Sequence, residues 1–217
     1  MPPVQPQQPQ FTPPPQSQPQ QPPKKPLWES LRGFVSFAGF IVSIILLALF
    51  INLFVFQSYY VDGTSMSPTL HPNDRLIINK MPKTWANLFH KDFIPTRGNI
   101  VVFNSPYIDE TGKPEQLIKR VIGLPGERVV IKNGSVTIYN KEHPQGFNPD
   151  KELGLTLPVT DGNVDVTVPD GELFVCGDNR ERGMSLDSRS DLGTISNKKV
   201  IGELSFRIYP INTIHHF

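Results

Sequence analysis

The chain has 217 residues, with 21 Lys plus Arg against 20 Asp plus Glu, a formal charge of +1, and a single cysteine. One Cys176 excludes an internal disulfide and a four-cysteine zinc site, and so even a charge balance lacks the basic footprint with which a nucleic-acid binder neutralises phosphates. These averages blend three unlike stretches, because 11 of the 23 prolines fall within the first 26 residues and the strongest hydrophobicity follows directly.

Residues 1–26 add 8 Gln to those prolines and hold few sizeable apolar side chains, so they bury too little surface to offset chain entropy. A disordered Pro/Gln-rich cytoplasmic arm with polyproline II character is expected over residues 1–33, serving either as a tether or as the ligand of a proline-binding module. From Phe34 to Phe56 there are 23 residues without a charge. As a helix they would extend roughly 34 Å, enough for a hydrocarbon core of about 30 Å, and a single transmembrane helix is expected over residues 34–56. A cleaved signal would carry a shorter apolar run and small residues at its end, whereas Gln57, Ser58, Tyr59 and Tyr60 follow here, so the span should be retained. Lys24, Lys25 and Arg32 precede it and the next basic residue is Arg75, which places the N-terminus in the cytoplasm.

Residues 57–217 then form an extracytoplasmic segment of 161 residues, with 18 Lys plus Arg against 19 Asp plus Glu. Short runs rich in Val, Ile, Phe and Tyr dominate it: SYYV, RLIIN, NIVVF, QLIKRVIG, ERVVI, SVTIY, DVTV, ELFVC and ELSFRIY. The domain reads as mainly β, and Asn133-Gly134 between two of the runs predicts a type I′ hairpin. Residues 140–163 turn polar and rich in Pro and Gly, as an inserted excursion away from the chemistry would be. A WANLF run, Trp85 to Phe89, suits one helical turn on the membrane or ordinary core equally well.

No phosphate loop or HExxH pair occurs, the five histidines are scattered, and His215-His216 reads as a frayed end rather than a metal site; no metal is expected. Three polar clusters could carry chemistry. The first is VDGTSMSPTL, Val61 to Leu70, a turn-rich segment soon after the apolar span, where Gly63 permits close backbone approach and Ser65 is a candidate nucleophile, although serine fills turns everywhere. The second is QLIKRVIGLPGE, Gln116 to Glu127. In a strand Leu117, Lys119 and Val121 share one face, so Lys119 is either desolvated or snorkels to water. Burial disfavours the ammonium, and a pKa brought from about 10.4 to roughly 8 raises the neutral fraction at pH 7 from about 4 in 10,000 to about one in ten. Arg120 keeps its proton and reads as an ion-pair member. The third is CGDNRERGMSLDSRSDLG, Cys176 to Gly193, where Asp187 and Arg189 lie two apart and can pair with each other or involve Arg120.

Taken together these segments resemble the type I signal peptidases, membrane-anchored Ser-Lys endopeptidases in their single-pass form. The resemblance rests on Ser-Met-x-Pro-Thr-Leu at Ser65 to Leu70, Arg-Gly-x-Ile-Val-Val-Phe at Arg97 to Phe103, Lys119-Arg120-Val121 with Gly123-Leu124-Pro125-Gly126, and Gly177-Asp178-Asn179-Arg180 with Ser185-x-Asp187-Ser188-Arg189. They stand in the family's order across about residues 30–210. The resemblance implies an antiparallel β-sheet catalytic domain after one N-terminal transmembrane helix, Ser65 as nucleophile, Lys119 as general base, Ser185 as the hydroxyl that holds the lysine, and Asp187 with Arg189 as a supporting ion pair. The oxyanion would be held by the Ser65 N–H. Some relatives add a hydroxyl two residues before the nucleophile, where this chain has Gly63. Asn99 replaces the usual aspartate after Arg-Gly, and four residues instead of two separate Arg180 from Ser185, which leaves Ser188 a competitor for Ser185.

The implied reaction is cleavage of signal peptides from translocated preproteins through an acyl-enzyme, without metal or organic cofactor. Its partners would be preproteins with small residues at −1 and −3 and membrane lipid, with no nucleic acid and an unspecified oligomeric state. A bacterial cytoplasmic membrane is expected, a thylakoid membrane being the alternative. Two rivals stand beside this: a hydrolase using His71 as the base for Ser65, and a non-enzymatic, membrane-tethered β-rich binding module.

Overall fold

A computed structural model describes residues 27–217 of the chain. The arm expected over residues 1–33 therefore lies largely outside the described residues. Its last seven residues are helical instead: α1 runs Leu27–Phe50 and passes into a π-helical turn, Ile51–Val55. The helix thus starts seven residues before the apolar run, directly after Pro26 in the sequence. Backbone hydrogen bonding tolerates Glu29 and Arg32, and proline disfavours helix in the residue before it. At the other end Phe56 already belongs to a strand. Among the described residues one helix, Arg32–Val55, is long and apolar enough to cross a membrane.

The chain divides into two compact units, one ending at Ile45 and the other running Leu46–Phe217. The second is mainly antiparallel β. Its strands are β1 (Phe56–Tyr60), β2 (Arg75–Asn79), β3 (Ile100–Ile108), β4 (Pro114–Gly123), β5 (Arg128–Lys132), β6 (Ser135–Tyr139), β7 (Val164–Thr167), β8 (Glu172–Cys176), β9 (Ile195–Ser196), β10 (Val200–Tyr209) and β11 (His215–His216). Eight of them build one sheet in the order β1-β2-β10-β3-β4-β8-β9, with β11 on β10, and the other three form a small sheet, β6-β5-β7. Each apolar run read from the sequence lies in or overlaps a strand, because short stretches of β-branched and aromatic residues bounded by Gly and Pro suit a pleated, half-buried surface. Asn133 and Gly134 take φ of 52° and 79° at the β5–β6 hairpin, the left-handed pair that a type I′ turn requires.

Two further helices appear, α2 (Met81–Leu88) and α3 (Pro149–Glu152). WANLF lies on α2 and just beyond it, and ordinary core is not where it sits: Trp85, Leu88 and Phe89 are 49%, 64% and 61% exposed. The core is held in three clusters. One joins Leu76, Ile78, Ile100 and Val102 to Val61, Met66 and Leu70, a second packs Val101, Phe103 and Val121 on Leu173 and Val175, and a third closes the small sheet over Ile122 and Phe174.

Candidate active site

The segment between β1 and β2 carries Ser65 and is pinned from both ends. Val61 N–H donates to the Asp74 carbonyl at 2.9 Å and Asn73 N–H returns to the Val61 carbonyl at 3.1 Å. Within it Met66 and Leu70 are fully buried, each contributing about 1.5–3 kcal/mol of apolar burial that fixes the loop against the sheet. Gly63 has φ +84°, a left-handed backbone that glycine adopts without strain. Ser65 is left at the surface of this pinned loop, half-buried.

Lys119 sits on β4 opposite Val101 of β3, its residue only 2% exposed. Its Nζ donates to Ser65 Oγ at 2.8 Å and to the Ile118 carbonyl at 2.9 Å. Burial lowers its pKa from an ordinary 10.5 to about 8, against the nearby Asp187 carboxylate, which raises it. Snorkelling to solvent is therefore not what this lysine does. At 2.8 Å the neutral amine lies within hydrogen-bond reach of the serine proton.

The loop after β8 closes the other side. Gly177 N–H donates to Asp187 Oδ2 at 2.8 Å, and Asn179 N–H donates to the Ser65 carbonyl at 3.0 Å. A Cβ at Gly177 would lie 2.3 Å from both the Ser65 carbonyl oxygen and Ser185 Oγ, so only glycine lets the two loops meet here. Asp187 and Arg189 pair with each other, Nη2 to Oδ2 at 2.8 Å and Nε to Oδ1 at 3.0 Å. Although burial raises the Asp187 pKa, the hydrogen bond and charge of Arg189 hold it below the ordinary carboxylate value. Arg120 instead pairs with Asp178, through Nε at 2.8 Å and Nη2 at 2.5 Å, and Thr69 Oγ1 donates to the same carboxylate at 2.6 Å. Asp178 thereby ties the serine loop to β4, a role the sequence did not single out within its polar cluster.

The two competing serines separate. Ser188 Oγ accepts the Val175 N–H at 2.9 Å. Ser185 Oγ is buried beside the Asp187 carboxylate, whose pKa its hydroxyl helps lower, and the expected bond from Lys119 to it is not among those the structure makes. The His71 side chain is exposed and makes no bond to Ser65; its backbone N–H is spent on Asp74 Oδ2 at 3.0 Å. Asn99, in the aspartate's place, donates to Glu203 Oε1 at 2.6 Å. Burial pushes the Cys176 thiol up, out of the reactive range.

Residues 140–163, the expected excursion, are tied to the loop after β8 through Arg180. Asp150 on α3 accepts two bonds from Arg180, both at 2.7 Å, and Thr160 Oγ1 accepts a third at 2.9 Å. The cause is the Arg180 guanidinium, which is fully buried and needs an anion beside it. No group of His, Cys, Asp and Glu suited to a metal is found among the described residues.

A family model described as signal peptidase, peptidase S26, matches residues 34–209. The chain belongs to the signal peptidase family. It is thus an enzyme, a serine peptidase of signal peptides, and the non-enzymatic binding module falls. Similar proteins include a signal peptidase I of Bacillus amyloliquefaciens, 38% identical over 185 residues that cover 83% of this chain and 90% of the relative. Signal peptidase I S of Bacillus subtilis is 37% identical over 186 residues, 83% of this chain and 92% of the relative. A solved signal peptidase I from Enterococcus faecalis is 29% identical, covering 52% of this chain and 97% of that one with a TM-score of 0.34.

Proposed function

We propose that the chain is a membrane-anchored signal peptidase working through a Ser65–Lys119 dyad. The observation that carries the reading is the 2.8 Å separation between Lys119 Nζ and Ser65 Oγ at an amine whose burial brings its pKa to about 8. Ser65 Oγ attacks the scissile carbonyl while Nζ takes its proton; the tetrahedral oxyanion is met by the Ser65 N–H, which makes no hydrogen bond among the described residues. Nζ returns the proton to the departing amine, leaving an ester on Ser65. The amine that departs is the N-terminus of the mature protein; Nζ then takes a proton from water, and hydroxide releases the signal peptide from Ser65. Asp187 and Arg189 hold the loop that flanks Lys119, Gly63 shapes the turn before the nucleophile, and Ser185 is the hydroxyl closest in role to a lysine support.

A groove of about 290 Å³ opens at the dyad, walled by Tyr59, Leu76, Val102 and Ile118 as well as Ser65 and Lys119. Its modest size favours small side chains at −1 and −3 of the preprotein. The apolar helix and the Bacillus relatives support anchorage in a bacterial cytoplasmic membrane. The basic residues Lys24, Lys25 and Arg32 ahead of the span keep the N-terminal arm in the cytoplasm and the catalytic unit outside, where signal peptides emerge. Tethering beside the substrate supplies effective concentration without tight binding.

The test is turnover of a preprotein with Ala at −1 and −3 by full chain reconstituted in vesicles. Ser65→Ala and Lys119→Ala should each lower cleavage by roughly 1,000-fold or more, while His71→Ala leaves it unchanged. Full activity of the lysine variant would remove the dyad. Externally added protease that fails to reach residues 57–217 in intact cells stripped of their outer layers would reverse the orientation.

A further inference from the structure

A groove larger than the one at Ser65 opens elsewhere on the catalytic unit. It has a volume of about 740 Å³, within the roughly 300–1,000 Å³ typical of ligand sites, and lies between the last turns of the apolar helix, α2 and the start of β10. Its apolar walls come from Leu53 and Phe54 on one side and Trp85 and Leu88 on the other. Each of these four is 45–64% exposed, a large apolar surface left open on one side of the catalytic unit. Trp85 is braced by Phe89, their rings stacked at 5.8 Å.

The same groove is lined by Lys80, Lys83, Lys198 and Lys199 and by no acidic residue. None of the four is in an ion pair among the described residues. Lys80 Nζ donates to the Asn52 carbonyl and to Gln57 Oε1, both at 3.3 Å, and Lys83 Nζ donates to the carbonyls of Lys198 and Val200. Such neutral acceptors fix the ammonium groups in place without cancelling their charge. Burial also lowers the Lys83 pKa, an imbalance that an anion beside it would relieve. In a segment whose charges otherwise nearly cancel, this is a local concentration of positive charge on an apolar cleft.

We infer that this groove binds an anionic phospholipid of the surrounding leaflet, an acyl chain lying against Phe54 and Trp85 and the phosphate held among the four lysines. The choice of lipid over a soluble anion or acidic peptide follows from position. Phe50, Leu53 and Phe54 belong to the end of the membrane-crossing helix, so the groove opens where hydrocarbon gives way to headgroups, the level at which lysines with apolar stems settle. The inference rests on the anchored reading proposed above. It adds a lipid partner to the enzyme at a site separate from the dyad, since neither Ser65 nor Lys119 lines it.

The chain has two tryptophans, Trp28 and Trp85, so Trp28→Phe leaves Trp85 as the only indole reporter. That full-length variant is reconstituted in vesicles of equal parts phosphatidylglycerol and phosphatidylcholine, with brominated acyl chains placed on one lipid and then on the other. Bromine on phosphatidylglycerol should quench Trp85 at least about twofold more strongly than bromine on phosphatidylcholine, and Lys198→Gln with Lys199→Gln should abolish the difference. Both lysines are exposed, so the double variant should still cleave a soluble peptide substrate and thereby report a folded domain. Equal quenching in the parent protein, or a preference that survives the double variant, overturns the lipid site while leaving anchorage intact. Cross-linking through Trp85's groove to a second copy, with equal quenching, would assign the groove to self-association instead. Protein that fails to float with the vesicles at all would overturn anchorage and the lipid site together.

Discussion

Arg180 and Asp150 meet through two bonds of 2.7 Å, with the guanidinium wholly removed from water. The pair joins α3, in a stretch whose composition reads as a loose insertion, to the loop that carries Gly177, Ser185 and Asp187. Removing one partner of a buried pair leaves an uncompensated charge, so Asp150→Ala should destabilise the catalytic unit by about 3–5 kcal/mol. Chemical denaturation of the full chain in detergent checks this, and loss of proteolysis should track the loss of fold.

The pH dependence of cleavage follows from Lys119. A base must be neutral to accept the Ser65 proton, so kcat/KM should rise with pH and level off above an apparent pKa of about 8. Below that value the rate should fall about tenfold per pH unit. A profile flat from pH 6 to pH 9, measured on a substrate whose own groups do not titrate there, would sink Lys119 as the base.

The same buried amine weighs on stability. Its folded pKa is depressed to about 8 against an ordinary 10.5, so between those values the unfolded chain binds the proton better. Stability should therefore rise with pH across that window, and below it the full cost is present. Lys119→Met keeps the volume and removes the charge. It should abolish cleavage yet raise stability at pH 7 by up to about 3 kcal/mol, read from thermal unfolding at pH 7 and again at pH 10.5, where the gain should vanish.

Ser185 and Ser188 should part in a pair of alanine variants. Ser188→Ala strips the Val175 N–H of its buried acceptor and should cost about 1–3 kcal/mol. Ser185→Ala deletes a hydroxyl that faces the Asp187 carboxylate, which Arg189 and the Gly177 N–H already hold, so stability should change little. If Ser185 supports the lysine during turnover, its loss should lower kcat with KM and melting temperature unchanged.

Gly177→Ala is the sharpest steric test. The added methyl would fall 2.3 Å from the Ser65 carbonyl oxygen, a backbone atom that the Asn179 N–H also holds. The serine loop must shift, and a displacement of that order should lower kcat by roughly 100-fold, with far-ultraviolet circular dichroism unchanged.

Much of this was legible from the amino-acid order. The strands announced themselves because β-branched and aromatic runs bounded by turn formers have few other low-energy conformations, and Asn133-Gly134 named its own turn. The long apolar run marked a helix, though its start at Leu27 and its π turn before Phe56 answer to backbone hydrogen bonding, which side-chain hydropathy does not record. Ser65, Lys119 and the Asp187–Arg189 pair lay in motifs of sufficient length to be noticed. Only the tertiary structure decided which charges meet: that Arg120 takes Asp178 rather than Asp187, that Asp150 crosses 30 positions to Arg180, and that the amine of Lys119 reaches an oxygen 54 positions away. A buried charge is satisfied by whichever opposite group the packing delivers, and that delivery depends on strand register and loop path, neither of which is written locally in the chain.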